Sequence, residues 1–257
     1  MAEPLVLYEK RPDHIAIITM NRPERLNALS AEGSELMQEA EEDFRNNDDM
    51  WVAIITGAGR AFSVGRDLKR TAEESAAGQP IRPPNRRNRS SEEENWKPFI
   101  AAINGYALGG GFGRALRCDI RIASETALLG IPEARWNLLA GFAPSLIGEI
   151  PKTLLMEMLF TAKPITAARA YEAGLVNKVV PPDQLMPTAV EYAQSICENS
   201  PLAVRAAKEV ITRAIGHPPG IVAPLVRHIY ERLVLAEDAA EGPRSFAEKR
   251  PAQWKGR

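Results

Sequence analysis

Ile103-Asn104-Gly105-Tyr106-Ala107-Leu108-Gly109-Gly110-Gly111-Phe112-Gly113 is the stretch on which the reading of this chain turns. The apolar run Phe99 to Asn104 reads as a strand, and three consecutive glycines then lead into a short helical stretch. Glycine leaves the backbone unshielded, so N–H groups here can approach a ligand and stabilise developing negative charge. The oxygen of a thioester carbonyl becoming an enolate is one such charge. Turns and phosphate loops use the same residues, so the triplet alone leaves the matter open.

Two further segments point the same way. Gly59-Arg60-Ala61-Phe62-Ser63-Val64-Gly65-Arg66-Asp67-Leu68 also ends a strand with glycines and can supply a second N–H. Neither G-x-G-x-x-G with a downstream acid nor G-K-[ST] occurs in these glycine segments, which removes the support for dinucleotide and P-loop readings. Leu128-Leu129-Gly130-Ile131-Pro132-Glu133 places a carboxylate just after an apolar strand and a proline. Apolar surroundings raise a carboxyl pKa toward neutrality, as a general base requires, although a lone Glu also serves as a surface or capping residue.

Outward from these segments, Leu5 to Glu9 and His14 to Met20 read as a hairpin joined by Arg11-Pro12-Asp13. Ser30 is a candidate N-cap for an amphipathic helix with Leu36, Met37, Ala40 and Phe44 on one side, ending near Asn46-Asn47. Val52 to Thr56 suits a buried strand and Asp119 to Ala123 another. Thr71 to Asn95, rich in Ala, Pro, Asn and paired charges, reads as a surface loop. From Phe142 onward the pattern is helical over Thr153–Phe160, Ala167–Ala173, Gln184–Cys197, Leu202–Ile215 and Ile221–Ala236. A β-rich front and a helical back predict an α/β core with a helical appendage.

Bulk composition narrows the function classes. The 257 residues are 45% hydrophobic and 25% charged, and 32 Lys plus Arg against 33 Asp plus Glu give a net charge of -1, so nothing overall suggests nucleic acid or an anionic membrane. Cys118 and Cys197 form neither a disulfide framework nor a zinc spacing, and a reducing, cytoplasmic setting is expected. No secretory signal or run of about 18 apolar residues is present. His14, His217 and His228 are scattered and are read as structural or exposed, and no metal-ligand spacing occurs.

Taken together the segments resemble the crotonase (enoyl-CoA hydratase/isomerase) superfamily. The matching motifs are Asn21-Arg22-Pro23-Glu24-Arg25-Leu26-Asn27-Ala28-Leu29, then Ala61-Phe62 with Gly65 and Asp67, then Pro98 through the glycine triplet. Cys118-Asp119-Ile120-Arg121-Ile122-Ala123, Pro132-Glu133 and Phe246-Ala247-Glu248-Lys249-Arg250 follow in order, and only Thr71 to Asn95 stays unmatched. The resemblance implies an α/β spiral of repeated β-β-α units over residues 1–198, and a helical trimerisation region over 199–257 that packs on neighbouring subunits. It further implies that the backbone N–H groups of Arg66 and Gly110 form an oxyanion hole and that Glu133 moves a proton. Leu26, Ala28, Val64, Asp67 and Leu68 would lie along the CoA adenine and pantetheine, with Arg25 and Lys249 toward its phosphates. No cofactor is implied beyond CoA carried in the substrate; the implied partners are an acyl-CoA and further copies of the chain, as a trimer or a dimer of trimers.

The chain also departs from the pattern. Hydratases of this family use two glutamates; one matches Glu133 and the other falls at Gly113, which has no side chain. One carboxylate suffices to move a double bond by taking a proton from one carbon and returning it to another, so an isomerase-like shuttle is the leading expectation. The alternatives are a hydratase with another water-holding group, a decarboxylase or hydrolase, and a CoA- or RNA-binding relative without activity. Trp136 and Phe142 stand where small residues are usual and are expected to reshape the acyl pocket. Arg114 and Arg117, three residues apart, suit either salt bridges or recognition of an acyl carboxylate, and Arg114 is a candidate for the pocket.

Overall fold

The computed structural model describes residues 3–78 and 95–257. Chain order is β1 (Val6–Lys10), β2 (Ile15–Met20), α1 (Ala31–Asn46), β3 (Val52–Gly57), β4 (Ala61–Ser63), α2 (Leu68–Ala76), β5 (Phe99–Ile103), β6 (Tyr106–Leu108) and α3 (Gly110–Ala115). It continues with β7 (Ile120–Ser124), β8 (Leu128–Gly130), α4 (Lys152–Thr161), β9 (Ile165–Thr166), α5 (Ala167–Glu172), β10 (Lys178–Val180), α6 (Leu185–Cys197), α7 (Pro201–Ala214), α8 (Pro219–Val234) and α9 (Glu241–Glu248).

Two sheets share these strands. The larger runs β1-β2-β3-β5-β7-β10 and the smaller β4-β6-β8-β9. Each successive unit sends its first strand to the large sheet and its second to the small one, so β3-β4, β5-β6 and β7-β8 step around the same axis with parallel partners. This is the spiral of β-β-α units, and the observed class is mixed α/β. Right-handed crossovers require an intervening element at each step, which is why helices or turns separate the units.

Burial explains the strand sequences. All of β3 is buried, and alternate side chains still go to opposite faces. Val52 and Ile54 pack with Ile15, Ile100, Ile122 and, from α6, Leu185, Ala189 and Ala193. Ile55 joins Ile18, Ile103, Phe62, Phe112 and Leu129 in the core between the sheets. Phe44 of α1 closes a third cluster with Ala16, Met50 and Ala53.

The expected hairpin is present, with Val6 opposite Met20 and Lys10 opposite Ala16, closed by an Arg11 N–H to Ile15 carbonyl bond of 2.9 Å and the Arg11–Asp13 ion pair. Ser30 caps α1 by accepting from the Gly33 N–H at 3.0 Å. The five helical stretches read after Phe142 become α4 to α8 with shifts of one or two residues. The loop reading of Thr71 to Asn95 is corrected at its start: residues up to Ala76 belong to α2. Alanines and glutamates there are good helix formers, and the Asp67 carboxylate caps the helix on the Arg70 N–H at 3.2 Å, so α2 forms without an apolar face to bury. Residues 79–94 of that segment lie outside the described residues.

Lys97, 4% exposed, ties the large sheet to the end of α1: its Nζ donates to the carbonyls of Phe44 at 2.8 Å and Asn47 at 2.6 Å. Those carbonyls have no partner within α1, and a lysine there satisfies both. Burial lowers the ammonium pKa to about 8. The unfolded chain holds this proton up to about 10.4 and so binds more protons than the folded chain between the two values, which makes stability rise with pH in that window. In urea titrations the unfolding free energy of the wild type is expected to rise more steeply from pH 8 to 10 than that of Lys97→Met; equal slopes would refute the buried ammonium.

Candidate active site

Asn27 organises the first wall. Leu26 and Asn27 both adopt left-handed backbone, φ 51° and 55°, after the short turn Pro23–Arg25. The buried Asn27 amide donates to the carbonyls of Ala58 at 2.9 Å and Ala61 at 2.7 Å, and its Oδ1 accepts from the Arg22 N–H at 2.8 Å. Its own carbonyl accepts from the Ser63 hydroxyl at 2.7 Å, and that hydroxyl accepts from the Gly65 N–H at 3.2 Å. Two backbone bonds, Leu29 N–H to Gly65 and Val64 N–H to Leu26, then lay residues 26–29 beside 64–66. Leu26, Ala28 and Val64 are thereby neighbours along one edge.

The second wall is the glycine triplet, whose members differ in purpose. Gly109 is at φ 54° and donates to the Gly130 carbonyl at 3.0 Å. A methyl group on Gly111 would lie 2.2 Å from the Ser63 carbonyl, so this residue must be glycine for α3 to touch β4. Gly110 alone has room, its nearest neighbours being Leu29 and the Gly65 Cα at 3.6 and 3.7 Å from an added Cβ. Gly65, at φ 79°, abuts the Gly110 nitrogen so closely that a Cβ there would stand 2.6 Å from it. The corners holding Arg66 and Gly110 are therefore in direct contact. As the first residue of α3, Gly110 has an N–H with no acceptor inside the helix.

Glu133 completes the arrangement. It opens the short turn Glu133–Trp136 after β8, next to the buried Ile131. One carboxylate oxygen comes within 3.2 Å of where a Gly109 side chain would begin, and Oε2 is buried with no hydrogen-bond partner. Burial raises the Glu133 carboxyl above the ordinary glutamate value, against a smaller opposing effect of its own backbone N–H. A raised, half-buried carboxyl beside two backbone corners can accept and return a proton next to a carbonyl oxygen held by N–H groups.

Several expected side-chain roles change. The Asp67 carboxylate turns inward, paired with Arg22 at 2.9 Å and capping α2; burial alone would raise its pKa, but the Arg70 N–H and Arg22 bring it below the usual value. Only its backbone is left for a ligand. Arg66 directs its Nε to Thr71 at 3.2 Å, which leaves its proposed role to the main chain. For Arg114 the structure shows the salt-bridge alternative: it is 7% exposed and its guanidinium is bound to Glu41 of α1. A buried guanidinium needs a counter-charge, and α1 lies within its reach. Trp136 is 58% exposed among the described residues, whereas Phe142 packs edge to face on Phe112 at 6.1 Å. Leu68 begins α2. Arg25 and Lys249 are both exposed, the latter capping α9 in left-handed backbone. His14 is structural, stacked on Trp51 at 3.9 Å.

Asn27, Arg22 and Ser63 carry structural roles that the motifs contain but that spacing does not announce. The one local signal is Asn27 itself, an amide suited to left-handed backbone beside the proline turn.

A site of paired backbone corners and a buried carboxylate on a β-β-α spiral defines the class, and residues 10–257 match the family model described as enoyl-CoA hydratase/isomerase. The chain belongs to that family. It is 39% identical over 261 residues to the enoyl-CoA hydratase EchA19 of Mycobacterium tuberculosis, covering 99% of this chain and 97% of that one. It is equally 39% identical over 266 residues to the carnitinyl-CoA dehydratase of Salmonella typhi, with both chains fully covered. Among solved structures, the enoyl-CoA hydratase EchA1 of Mycobacterium marinum superposes with a TM-score of 0.89 at 36% identity, over 99% of this chain and 100% of that one.

Three substitutions test the site's construction. Gly111→Ala is expected to lower stability by about 1–3 kcal/mol through overpacking against Ser63, while Gly110→Ala melts within about 2 °C of the wild type. Equal melting temperatures would show that the close approach is not needed. Glu41→Gln, which leaves Arg114 without its counter-charge, is expected to cost about 1–3 kcal/mol in urea unfolding and to leave acyl-CoA affinity unchanged; a tenfold affinity change with full stability would return Arg114 to the pocket.

Proposed function

We propose that the chain acts on acyl- or enoyl-CoA thioesters by enolate chemistry, with Glu133 as a single proton carrier in an isomerase-like shuttle. The observation that carries this is the Glu133 carboxyl, buried and with an unpartnered oxygen against Gly109, in a chain whose residue 113 has no side chain. In this reading the thioester carbonyl sits between the N–H groups of Arg66 and Gly110, which stabilise the enolate oxygen as it forms. Glu133 takes the α-proton of a 3-enoyl thioester, the double bond shifts, and the carboxyl, which exchanges its proton with solvent while the enolate persists, gives a proton back at the α-carbon or at the γ-carbon, the latter yielding the 2-enoyl thioester. The carboxylate ends as it began. CoA enters with the substrate, and its chain would follow Leu26, Ala28, Val64 and Leu68.

The names of the similar relatives favour a second reading, addition or removal of water. That reaction needs a group other than residue 113 to hold the water. For assembly, the exposed Ile211, Ile215, Ile221, Tyr230 and Leu235 on and beside α7 and α8 support a homo-oligomer, either a trimer or a dimer of trimers, with residues 199–257 at its contacts.

Incubation with 3-enoyl- and 2-enoyl-CoA in heavy water decides the base. Deuterium exchange at the α-carbon is expected, falling about 10²- to 10⁴-fold in Glu133→Gln. Because only the ionised carboxyl accepts a proton, and burial raises its pKa, wild-type exchange rises with pH through a value above the ordinary glutamate range. Exchange undiminished in Glu133→Gln would sink the assignment.

A further inference from the structure

Gly113 lies one turn after Gly109 on the same side of α3, joined to it by an N–H to carbonyl bond of 2.9 Å. Gly109 is the residue against which the Glu133 carboxyl rests. The position that would bear a second side chain therefore faces the same side of α3 as the base, about 6 Å along the helix. That position is occupied. A Cβ on Gly113 would stand 2.9 Å from Cγ, 3.0 Å from Cδ1 and 3.3 Å from Cβ of Phe142. Turning the ring about its own Cβ would move Cγ and Cδ1 away, yet the Cβ contact would persist.

Phe142 is firmly seated. Its ring meets the fully buried Phe112 at 85°, and its carbonyl accepts from the Ser145 N–H at 3.0 Å and the Ser145 hydroxyl at 2.8 Å. The turn it opens, Ala143–Leu146, is anchored by the fully buried Leu146. An aromatic face has no oxygen or nitrogen with which to fix a water molecule, and it packs well on a flat unsaturated carbon chain.

We propose that Phe142 is a specificity-determining residue, its ring over Gly113 denying a water molecule a second anchor at that position and directing the site to proton transfer within an unsaturated acyl chain. This rests on Glu133 being the base. Hydration would require a water oxygen to bond to the β-carbon while a proton is delivered to the α-carbon, and the ring fills the place from which a second acid would hold that water. Gly113 and Phe142 are thus one feature: a side chain at 113 needs a smaller residue at 142.

The test compares wild type, Phe142→Ala, Gly113→Glu and the double variant with crotonyl-CoA in heavy water enriched in ¹⁸O. Deuterium at the α-carbon of the recovered enoyl-CoA reports the base, and ¹⁸O in 3-hydroxyacyl-CoA, which also gains an α-deuterium on hydration, reports addition of water. The wild type is expected to exchange much faster than it hydrates. The double variant is expected to hydrate about 100-fold faster than Gly113→Glu, the scale of one added acid–base group. Should Gly113→Glu fail to fold, the ratio of hydration to exchange in Phe142→Ala decides, with about a tenfold rise expected. Wild-type hydration as fast as exchange, equal hydration in the single Glu variant and the double variant, or an unchanged ratio in Phe142→Ala overturns the role of Phe142 while exchange stands. Loss of all exchange despite bound thioester overturns the base, and this inference with it.

Discussion

Two backbone corners can touch only where no side chain separates them, and this molecule is arranged around that restriction. Gly65 against the Gly110 nitrogen and Gly111 against the Ser63 carbonyl bring the ends of β4 and β6 closer than any Cβ allows. Asn27 holds the approach from behind, spending its whole amide on Ala58, Ala61 and Arg22, and passing through Ser63 to the Gly65 N–H. An unsatisfied buried amide costs about 1–3 kcal/mol, so a fully used one both fixes the corner and penalises alternatives to it.

The sequence exposed those parts of the fold whose causes are local. Ser30 caps α1, the apolar run in β3 marks a buried strand, and helical periodicity locates α4 to α8. The glycine triplet and Glu133, each ambiguous alone, are legible because they occur in order with the other motifs of the family. Long-range contacts were not visible. Nothing near Arg114 announces Glu41, which comes from a different helix, and nothing near Gly113 announces Phe142. The start of α2 is hidden for a different reason: its composition indicates solvent exposure, which a surface loop and an exposed helix share, and a cap with good helix formers suffices for the helix.

Charges inside this protein separate into spent and unspent. Arg114 with Glu41, Asp67 with Arg22, and Lys97 with the end of α1 are all engaged, and each fastens one element to another. Arg114 still keeps its Nε buried without a partner beside that ion pair, and Glu133 differs in being a carboxylate whose Oε2 is buried and unpartnered. A buried carboxylate oxygen without a partner is the kind of desolvated group that the proposed proton transfer calls for.

The spiral has a consequence for how such a site can change. Arg66 follows the strand pair β3-β4, Gly110 follows β5-β6, and Glu133 follows β7-β8, so the three occupy the same address in three consecutive turns of one screw. Their relation in space is set by the pitch of the sheets, whatever the amount of chain between them. A turn can therefore be lengthened away from the touching corners without disturbing its neighbours. Repetition turns one scaffold into a set of separately editable positions, and the chemistry can drift while the architecture stays still.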